Sequence, residues 1–336
     1  ALRELVEDEL GSKGKGRIAS GFPVTAVLLG GALPTPTLLA LAAPLVLGSP
    51  VLARPSAHDP LTAEVFARAL AADAELAAAL EVISFPSRDA AAMGALLSAD
   101  CVVAFGSDQT IAAVAARVTP VQRLVPHGHR LSVAVLGGAA LAGAALEAAA
   151  DALALDVALW DQQGCLSPLA LYVLGEERVP ASLFGRLALA FERAAQRLPR
   201  GRIDAQVAAA LAGARETAEL RAAAGEDVQV LTGAAFMLVA ETDASFRGSP
   251  LHRFLHVHPV RSPEALLAAL APLGPHLAAV GVAGLGSLAG QLEPELAALG
   301  ASRVCPLGTM QAPPLGWCHD QQGVLLPLAR LADVEK

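Results

Sequence analysis

Aromatic residues are scarce in this sequence, and clustered basic residues are absent. Of the 336 residues, 4% are aromatic and 17% are charged, whereas 54% are apolar. A core with so few aromatics must be built mainly from Ala, Leu and Val, and this apolar fraction is typical of a globular chain. The net charge is −8, and no basic cluster is suited to a phosphate backbone. The composition therefore excludes nucleic acid as an electrostatically bound partner.

Paired cysteines and a basic leader are missing as well. The four cysteines form no Cys-x-x-Cys pair, and their spacing does not suggest a disulfide framework. The first residues are acidic, whereas the start of a secretory signal peptide is basic. We therefore expect a protein of the reducing cytoplasm.

No charged residue occurs between Ile18 and Ala53, as in a membrane span. Prolines interrupt this stretch at five places, however, and each would remove a helical hydrogen bond that hydrocarbon cannot replace. The stretch therefore predicts a buried strand, helix and strand and no membrane span. The five prolines are Pro23, Pro34, Pro36, Pro44 and Pro50.

Short apolar runs alternate with longer Ala- and Leu-rich segments along the chain. This alternation predicts an α/β fold in which helices cover both faces of a parallel sheet. The length suggests two or three folding units, and we place a boundary near residue 160. The predicted strands are Thr25–Leu29, Val51–Ala53, Val82–Phe85, Cys101–Phe105, Arg123–Val125, Ser132–Leu136, Leu169–Leu174, Val228–Leu231, Ala235–Ala240, Phe254–Val257, Ala278–Val282 and Arg303–Cys305. The predicted helices include Pro60–Ala79, Asp89–Leu97, Thr110–Val118, Ala181–Arg197 and Pro263–Ala271.

A polar segment, Trp160–Pro168, interrupts this pattern directly before a predicted strand. Its sequence, Trp-Asp-Gln-Gln-Gly-Cys-Leu-Ser-Pro, predicts a loop with a tight turn, in which Gly164 lets the backbone approach a ligand. Backbone N–H groups around a cysteine in such a turn can lower the pKa of its thiol and bind an oxyanion. We therefore predict that Cys165 is a catalytic nucleophile. Cys101, which opens an apolar strand, is predicted to be a buried structural cysteine.

A second candidate site is the turn at Gly106-Ser107, which follows a predicted strand and precedes a helix. Free N–H groups at a helix N-terminus can bind a phosphate, so this turn is a candidate cofactor site. There is no Gly-x-Gly-x-x-Gly fingerprint, and an ordinary turn between strand and helix is the alternative. His127 and His129 lie near this predicted crevice, and either could handle a proton.

The remaining histidine motifs are interpreted as structural. His256 and His258 have the spacing of neighbours on one face of a strand, which can bind a metal. No third ligand of suitable spacing is evident, so the sequence predicts no metal site, and we interpret them, with His252, as edge or interface histidines. The segment Trp317–Asp320 contains a Cys-His pair, but the neighbouring prolines favour a structural loop.

Residues Asp161–Pro168 resemble the nucleophile segment of the LuxC-like acyl-CoA reductases. These are the fatty acid reductases of bacterial bioluminescence and their relatives, a branch of the aldehyde dehydrogenase superfamily. Eight consecutive residues agree, and the resemblance runs from about Ile18 to the C-terminus. Further segments that resemble landmarks of the family are Phe105–Ile111, Gly128–Ser132, Ser249–Arg253, Ser302–Gly308 and Pro313–Asp320.

The resemblance implies a fold, an activity and a set of partners. It implies a Rossmann-type parallel-sheet cofactor domain in residues 1–160, an α/β catalytic domain in residues 161–310, and a C-terminal segment, 311–336, that packs back near the site. The implied activity is the NADPH-dependent reduction of an acyl-CoA, or another acyl-carrier thioester, to an aldehyde through an acyl-cysteine at Cys165. NADH is the alternative cofactor, and the oligomeric state, including a homo-oligomer, is left open.

The resemblance also assigns site residues. In the superfamily a Lys-Pro-Ser or Lys-Thr-Ser segment contacts the adenosine ribose, and Arg54-Pro55-Ser56 stands in its place here. The planar fork of Arg54 suits a 2′-phosphate, which favours NADPH, although a surface arginine is the alternative. Gly106 and Ser107 fall in the segment that resembles the family's turn at the cofactor. The superfamily's water-activating Glu has no counterpart in Val125–Arg130, which favours acyl transfer over oxidation to a free acid.

Two departures from the family leave other functions open. The family has a longer segment before its first landmark. It also has an Asn near the end of the first strand, in a Gly-Asn-x-Pro setting, whose amide supports the oxyanion. We expect Phe22 to stand in or near the place of that Asn, a change that typically costs about 10²–10³ in rate. The alternatives are another acyl-cysteine semialdehyde dehydrogenase or acyl-phosphate reductase, and a degenerate paralogue that binds nucleotide or acyl groups without turnover.

Overall fold

The computed structural model describes residues 2–10 and 17–335, and the chain divides into two compact units. Unit 1 comprises Ala1–His129 and Pro314–Lys336, and unit 2 comprises Arg130–Pro313. This division differs from the boundary predicted near residue 160. The strand that begins at Leu131 hydrogen-bonds to strands of the second sheet on both sides, so it belongs to unit 2.

Unit 1 is built on a five-stranded parallel sheet with the strand order β4-β3-β2-β5-β6. A separate antiparallel pair joins β1 to β14 near the C-terminus. The described elements of unit 1 are α1 (Leu2–Leu10), β1 (Arg17–Ser20), β2 (Thr25–Leu28), α2 (Pro34–Val46), β3 (Val51–Arg54), α3 (Thr62–Leu70), α4 (Ala74–Ala79), β4 (Leu80–Val82), α5 (Ala90–Leu96), β5 (Cys101–Phe105), α6 (Asp108–Ala115), β6 (Arg123–His127) and β14 (Arg330–Asp333).

The parallel sheet is buried on both faces, as its apolar strands predict. Val27 and Val103 belong to one buried cluster, and their neighbours Ala26 and Val102 belong to another on the opposite face. The uncharged stretch after Ile18 forms β2, α2 and β3, which confirms the predicted strand, helix and strand. Within the described residues, no helix is long and apolar enough to cross a membrane.

The strand order of unit 1 has one reversal point. From β2 the chain proceeds outward to β3 and β4, and it then returns to place β5 on the other side of β2. Ligands of open parallel sheets bind at such a point, outside the carboxyl ends of the strands. The turns after β2 and β5 therefore mark the candidate cofactor site of this unit.

Unit 2 is built on a seven-stranded mixed sheet with the order β13-β12-β7-β8-β11-β10-β9. Only the edge strand β9 runs antiparallel to its neighbour. The elements are β7 (Leu131–Leu136), α7 (Gly143–Ala158), β8 (Pro168–Leu174), α8 (Ala181–Arg197), α9 (Ala205–Ala223), β9 (Val228–Thr232), β10 (Met237–Glu241), β11 (Phe254–Val260), α10 (Pro263–Leu270), β12 (Leu277–Ala283), α11 (Ala289–Leu299) and β13 (Arg303–Pro306). Because β8 is the central strand, the loop before it is anchored in the middle of the sheet.

Some element bounds follow directly from local sequence signals, and others differ from prediction. The helix α8 has the predicted bounds, and Ser262 caps α10 by accepting a hydrogen bond from the N–H of Ala265. The single helix predicted over residues 60–79 is instead two helices. The first helix ends at Leu70, and Asp73 caps α4, because its carboxylate accepts the N–H groups of Glu75 and Leu76.

Candidate active site

The half-buried Cys165 lies in the loop that leads into the central strand β8 of unit 2. Three consecutive residues before it have a left-handed backbone, with φ angles of 57° at Trp160, 48° at Asp161 and 64° at Gln162. Each such non-glycine residue costs about 1–3 kcal/mol. The turn can therefore persist only because the surrounding structure holds it.

Gln162 is the main clamp on this turn. Its side chain is fully buried, and its Nε2 donates hydrogen bonds to the carbonyl oxygens of Pro168 at 2.8 Å and of Phe254 at 2.9 Å. Its Oε1 accepts a hydrogen bond from the N–H of Phe254 at 3.0 Å. The bond to Pro168 closes a ring of residues around Cys165, and the bonds to Phe254 fix that ring to β11. Gln162 is therefore a positioning residue for the cysteine.

A second left-handed segment supports the first. Leu251, His252 and Arg253 have φ angles of 66°, 55° and 71°. The buried Arg253 donates from Nε to the Asp161 carboxylate at 2.8 Å, and from Nη2 to the carbonyl oxygen of Ala158 at 3.2 Å. The N–H of His252 donates to the carbonyl oxygen of Asp161 at 3.1 Å. The two strained segments thus stabilise each other through one buried ion pair and several hydrogen bonds.

Two other elements of unit 2 hold the loop on its far side. The Oγ of Ser132 in β7 donates to the carbonyl oxygen of Cys165 at 2.7 Å, and accepts the N–H of Ala279 at 3.0 Å. The Nε2 of Gln311, after β13, donates to the Oγ of Ser167 at 2.9 Å. The carbonyl group of Cys165 and the side chain of Ser167 are therefore held by side chains from segments far away in sequence.

The segment that carries Gln311 rests on a buried carboxylate. Asp156 at the end of α7 accepts the N–H of Gly308 at 2.6 Å and that of Met310 at 3.1 Å. Burial raises the pKa of Asp156 to about 6, although the hydrogen bonds from Gly308 and Met310 oppose that shift. Deprotonation of this group therefore has an energetic cost near neutral pH, which the two N–H donors partly offset.

The other cysteines lie in different surroundings. Burial raises the pKa of the Cys101 thiol to about 11, in agreement with its predicted structural role. Burial also raises the pKa of Cys305, and Cys318 is exposed on unit 1. Among the four, the half-buried Cys165 alone follows the clamped left-handed turn.

In unit 1, the reversal point of the sheet brings two glycine turns together. Gly30, after β2, lies so close to the end of β5 that a Cβ there would be 2.7 Å from the carbonyl oxygen of Phe105. There is also little room for a side chain at Gly106, after β5, since a Cβ there would be 2.9 Å from the Cβ of Thr110. Gly106 was predicted from the sequence as part of this site, but Gly30 was not. The signal was present, because Gly30 and Gly31 separate a predicted strand from a predicted helix.

The predicted cofactor residue Ser107 already has an intramolecular role. Its Oγ caps α6 by accepting the N–H of Thr110 at 3.2 Å. Asp108 occupies the first turn of the same helix, and its carboxylate accepts the N–H of His129 at 2.9 Å. A carboxylate at this helix start disfavours a phosphate, so the Gly30 turn is the better phosphate site of the two.

Arg54 ends β3, the strand beside β2, at the carboxyl edge of the sheet. Its Nε and Nη2 donate to the carbonyl oxygen of Phe85 at 3.2 and 3.1 Å, and Nη2 also donates to the Oγ of Ser87 at 2.8 Å. These contacts hold the guanidinium in place through Nε and Nη2, and Nη1 takes no part in them. Ser56 is buried, and its Oγ accepts the N–H of His58 at 3.1 Å.

The expected place of Phe22 requires a correction. Phe22 lies before β2, the first strand of the parallel sheet, and packs against the core of unit 1. The turn that follows this strand contains Gly30 and Gly31 and leads to Pro34. Phe22 therefore does not occupy the end of that strand, where a side chain could replace the family's Asn.

The C-terminal segment forms a histidine cluster within unit 1. Nδ1 of His127 lies 2.7 Å from the Oδ2 of the buried Asp320, and the rings of Phe105, His127 and His319 are stacked with centroids 4.3 and 4.7 Å apart. The structural loop predicted at Trp317–Asp320 thus contacts the end of β6. His256 and His258 lie on β11, an interior strand of the unit 2 sheet, so their interpretation as edge residues is wrong.

Comparisons with known proteins identify the family and the fold of this chain. The model of the acyl-CoA reductase (LuxC) family matches residues 18–333. An aldehyde dehydrogenase from Brucella melitensis biovar abortus 2308 matches with a TM-score of 0.72 at 15% identity, over 99% of this chain and 76% of its own. An indole-3-acetaldehyde dehydrogenase in complex with NAD+ matches with a TM-score of 0.72 at 15% identity, over 96% of this chain and 70% of its own.

A bifunctional proline utilization A protein has a TM-score of 0.72 at 18% identity, over 98% of this chain and 36% of its own. No significant match was found among curated protein sequences. The family match covers most of the chain, and the structural matches define the fold. The chain therefore belongs to the LuxC acyl-CoA reductase family and is an oxidoreductase with the aldehyde dehydrogenase fold.

Proposed function

We propose that the protein reduces an acyl-CoA to an aldehyde with NADPH, through an acyl-cysteine at Cys165. The observation that carries this proposal is the clamped left-handed turn at residues 160–162, three to five residues before Cys165. Backbone strain of this size is commonly stored at functional sites. A structural thiol would not require it.

In the first step, the Cys165 thiolate attacks the carbonyl carbon of the acyl-CoA thioester. The C–S bond to CoA breaks, the CoA thiolate leaves, and the acyl group remains on the cysteine. A thiolate is suited to this exchange because it is a strong nucleophile even at neutral pH. Backbone N–H groups of the turn are the donors that we assign to the developing oxyanion.

Water must not hydrolyse the acyl-cysteine if an aldehyde is to form. The stretch Val125–Arg130 contains no carboxylate that could serve as a general base. The absence of such a carboxylate from this stretch supports reductive release of the acyl group over hydrolysis.

Unit 1 has the features that a nicotinamide cofactor needs. The reversal point between β2 and β5, with backbone crowded at Gly30 and Gly106, is where parallel sheets bind nucleotides. When bound, the cofactor supplies the hydride. Arg54, at the end of the strand next to β2, is suited to hold a 2′-phosphate, because a guanidinium donates charge-assisted hydrogen bonds to phosphate oxygens. Ser56 has the supporting role of shaping the segment after Arg54.

The test combines acyl loading with turnover. Purified protein is mixed with acyl-CoAs of several chain lengths and NADPH, and aldehyde, oxidised cofactor and the mass of each cysteine-containing peptide are measured. We expect aldehyde formation and an acyl group on Cys165, with both lost in Cys165→Ser. Cys318→Ser, which removes an exposed thiol, is the matched control and should retain both.

Three outcomes would overturn parts of this proposal. An acyl group on another cysteine would contradict the role of Cys165. Loading without NADPH consumption would identify an acyl-accepting protein that does not reduce its substrate. Turnover with acyl phosphates in place of acyl-CoA would change the substrate class.

A further inference from the structure

A buried cluster in unit 2, separate from the cysteine turn, joins two histidines and a carboxylate. Glu241 ends β10, and His256 and His258 lie on the adjacent strand β11. Val239 and His256 are partners in the parallel register, so the three side chains project from the same face of the sheet. Their exposed fractions are 2%, 6% and 0%.

Polar atoms of this cluster lack hydrogen-bond partners among the described residues. They are the Oε1 of Glu241, the Nδ1 of His256 and the Nε2 of His258. The Oε1 and Nδ1 atoms are 3.1 Å apart, but they are not aligned for a hydrogen bond. Buried polar atoms of this kind are rare in folded proteins, and an ion is one of the few reasons for them.

The tautomer of His258 is fixed in the form that binds a metal. Its Nδ1 donates to the carbonyl oxygen of Asp243 at 2.7 Å, so the Nε2 lone pair is unprotonated and directed elsewhere. A hydrogen bond from the second ring nitrogen to a carbonyl is the usual support of a metal-binding histidine. Packing of the Tyr172 ring on His258, with centroids 5.2 Å apart, limits its rotation further.

The charge of the surroundings permits one divalent cation. Arg221 and Arg247 both bind the Oε2 of Glu241, at 2.7 and 2.9 Å, and leave Oε1 without a hydrogen bond. Each arginine also pairs with a carboxylate of its own, Glu226 or Asp243. With neutral imidazoles, the three carboxylates and two guanidinium groups sum to a charge of −1.

We propose that Glu241, His256 and His258 bind a divalent transition-metal ion, with zinc as the best fit. The three candidate ligand atoms all lie within 4.8 Å of one another. Ligand atoms around a tetrahedral zinc ion are about 3.3 Å apart, so movements on the order of 1 Å bring the three atoms to that spacing, and a water molecule would take the fourth position. Two imidazole nitrogens and one carboxylate oxygen are a ligand set that zinc accepts.

The ion would be structural, since its ligands are buried. It joins the end of β10 to β11 and so fixes both ends of the connection from Glu241 to Arg253, which carries the second left-handed segment. Removal of the ion is therefore expected to destabilise unit 2. This inference does not depend on the proposed function, because metal content can be measured without turnover.

The first experiment measures zinc in the full chain by mass spectrometry after growth in zinc-supplemented medium and dialysis. We expect about one ion per chain, lost in His256→Gln and His258→Gln. His252→Asn, on the same connection but outside the cluster, should retain the ion. His319→Gln is a second control, because His319 lies in another cluster, with His127 and Asp320. If the ion is lost in His319→Gln but retained in His256→Gln and His258→Gln, the proposal is overturned.

A second measurement does not depend on variants that fold. X-ray absorption at the zinc edge of the unmodified protein should show nitrogen and oxygen ligands with imidazole scattering. Zinc–sulfur scattering would put the ion on a cysteine and overturn the proposal. Treatment with a strong chelator should lower the melting temperature by several degrees. If the purified protein contains no zinc and also binds none when it is refolded with zinc chloride, the cluster is only a buried ion pair and the proposal is overturned.

Discussion

The clamp formed by Gln162 can be tested with a substitution that hardly changes its shape. In Gln162→Glu, one carboxylate oxygen can still accept the N–H of Phe254, which Oε1 accepts now at 3.0 Å. The other carboxylate oxygen replaces Nε2, which now donates hydrogen bonds to the carbonyl oxygens of Pro168 and Phe254 at 2.8 and 2.9 Å. The substitution therefore turns two buried hydrogen bonds into contacts between like partial charges.

The size of the effect follows from these contacts. Two lost hydrogen bonds cost about 1 kcal/mol each, and the buried charge adds a penalty of similar size. We expect the free energy of unfolding to fall by about 3 kcal/mol, which lowers the melting temperature by roughly 6–12 °C. The turn should also relax from its left-handed backbone, so alkylation of Cys165 by iodoacetamide should slow by at least about tenfold.

The adjacent residue provides a matched control. Gln163 is exposed, so Gln163→Glu introduces the same charge one position along and should change stability by less than about 0.5 kcal/mol. Urea unfolding and peptide-resolved alkylation of both variants measure the two effects. Equal midpoints for the two variants, or an unchanged rate at Cys165 in Gln162→Glu, would refute the role of the clamp.

Three further predictions concern other residues. Arg54→Ala should weaken the binding of NADPH by about 10–100-fold and that of NADH much less. If titration calorimetry finds equal losses of affinity for the two cofactors, Arg54 does not bind the 2′-phosphate. Gly30→Ala should destabilise unit 1 by about 1–3 kcal/mol and impair nucleotide binding, because its Cβ would be 2.7 Å from the carbonyl oxygen of Phe105. Gly185→Ala, in an open part of α8, should instead stabilise the protein slightly. Thermal melts of both variants measure the two changes in stability. The raised pKa of Asp156, about 6, means that this group favours folding at low pH and loses that contribution as pH rises from about 4 to 6. Asp156→Asn should remove this part of the pH dependence of the unfolding free energy, and urea titrations with an unchanged slope between pH 4 and 6 would contradict it.

Sequence patterns predicted those helices and strands whose formation depends on residues close together in the chain. The helix α8 has its predicted bounds because apolar residues recur at helical spacing, and β2, α2 and β3 follow from one uncharged stretch with prolines. The helix α9 was not predicted, because its mostly exposed Ala-rich sequence has little apolar periodicity. The break before α4 was also missed, although Asp73, whose carboxylate accepts the N–H groups of Glu75 and Leu76, is a local signal for a helix start.

Features of the site that join distant segments could not be predicted in this way. The nucleophilic role of Cys165, predicted from its motif, stays a prediction, and the clamp on its loop was not predicted, since Gln162 acts through Phe254, 92 residues later. Glu241 was missed as a third ligand for the same reason. Its relation to His258 depends on the register between β10 and β11, which a single sequence does not specify. The roles of Arg54, Ser56, Gly106 and Ser107 toward a cofactor stay predictions.

The mutual support of the two left-handed segments has a consequence during synthesis. Asp161 and Arg253 are 92 residues apart, so at about 5–20 residues per second the turn is synthesised about 5–20 s before its supporting arginine. During that interval the turn has no reason to adopt its strained backbone, and Cys165 is an ordinary thiol of a nascent chain. The distinctive surroundings of the thiol thus arise only when β11 docks beside β8. A chain truncated before Arg253 would carry the whole nucleophile motif and still present an ordinary cysteine.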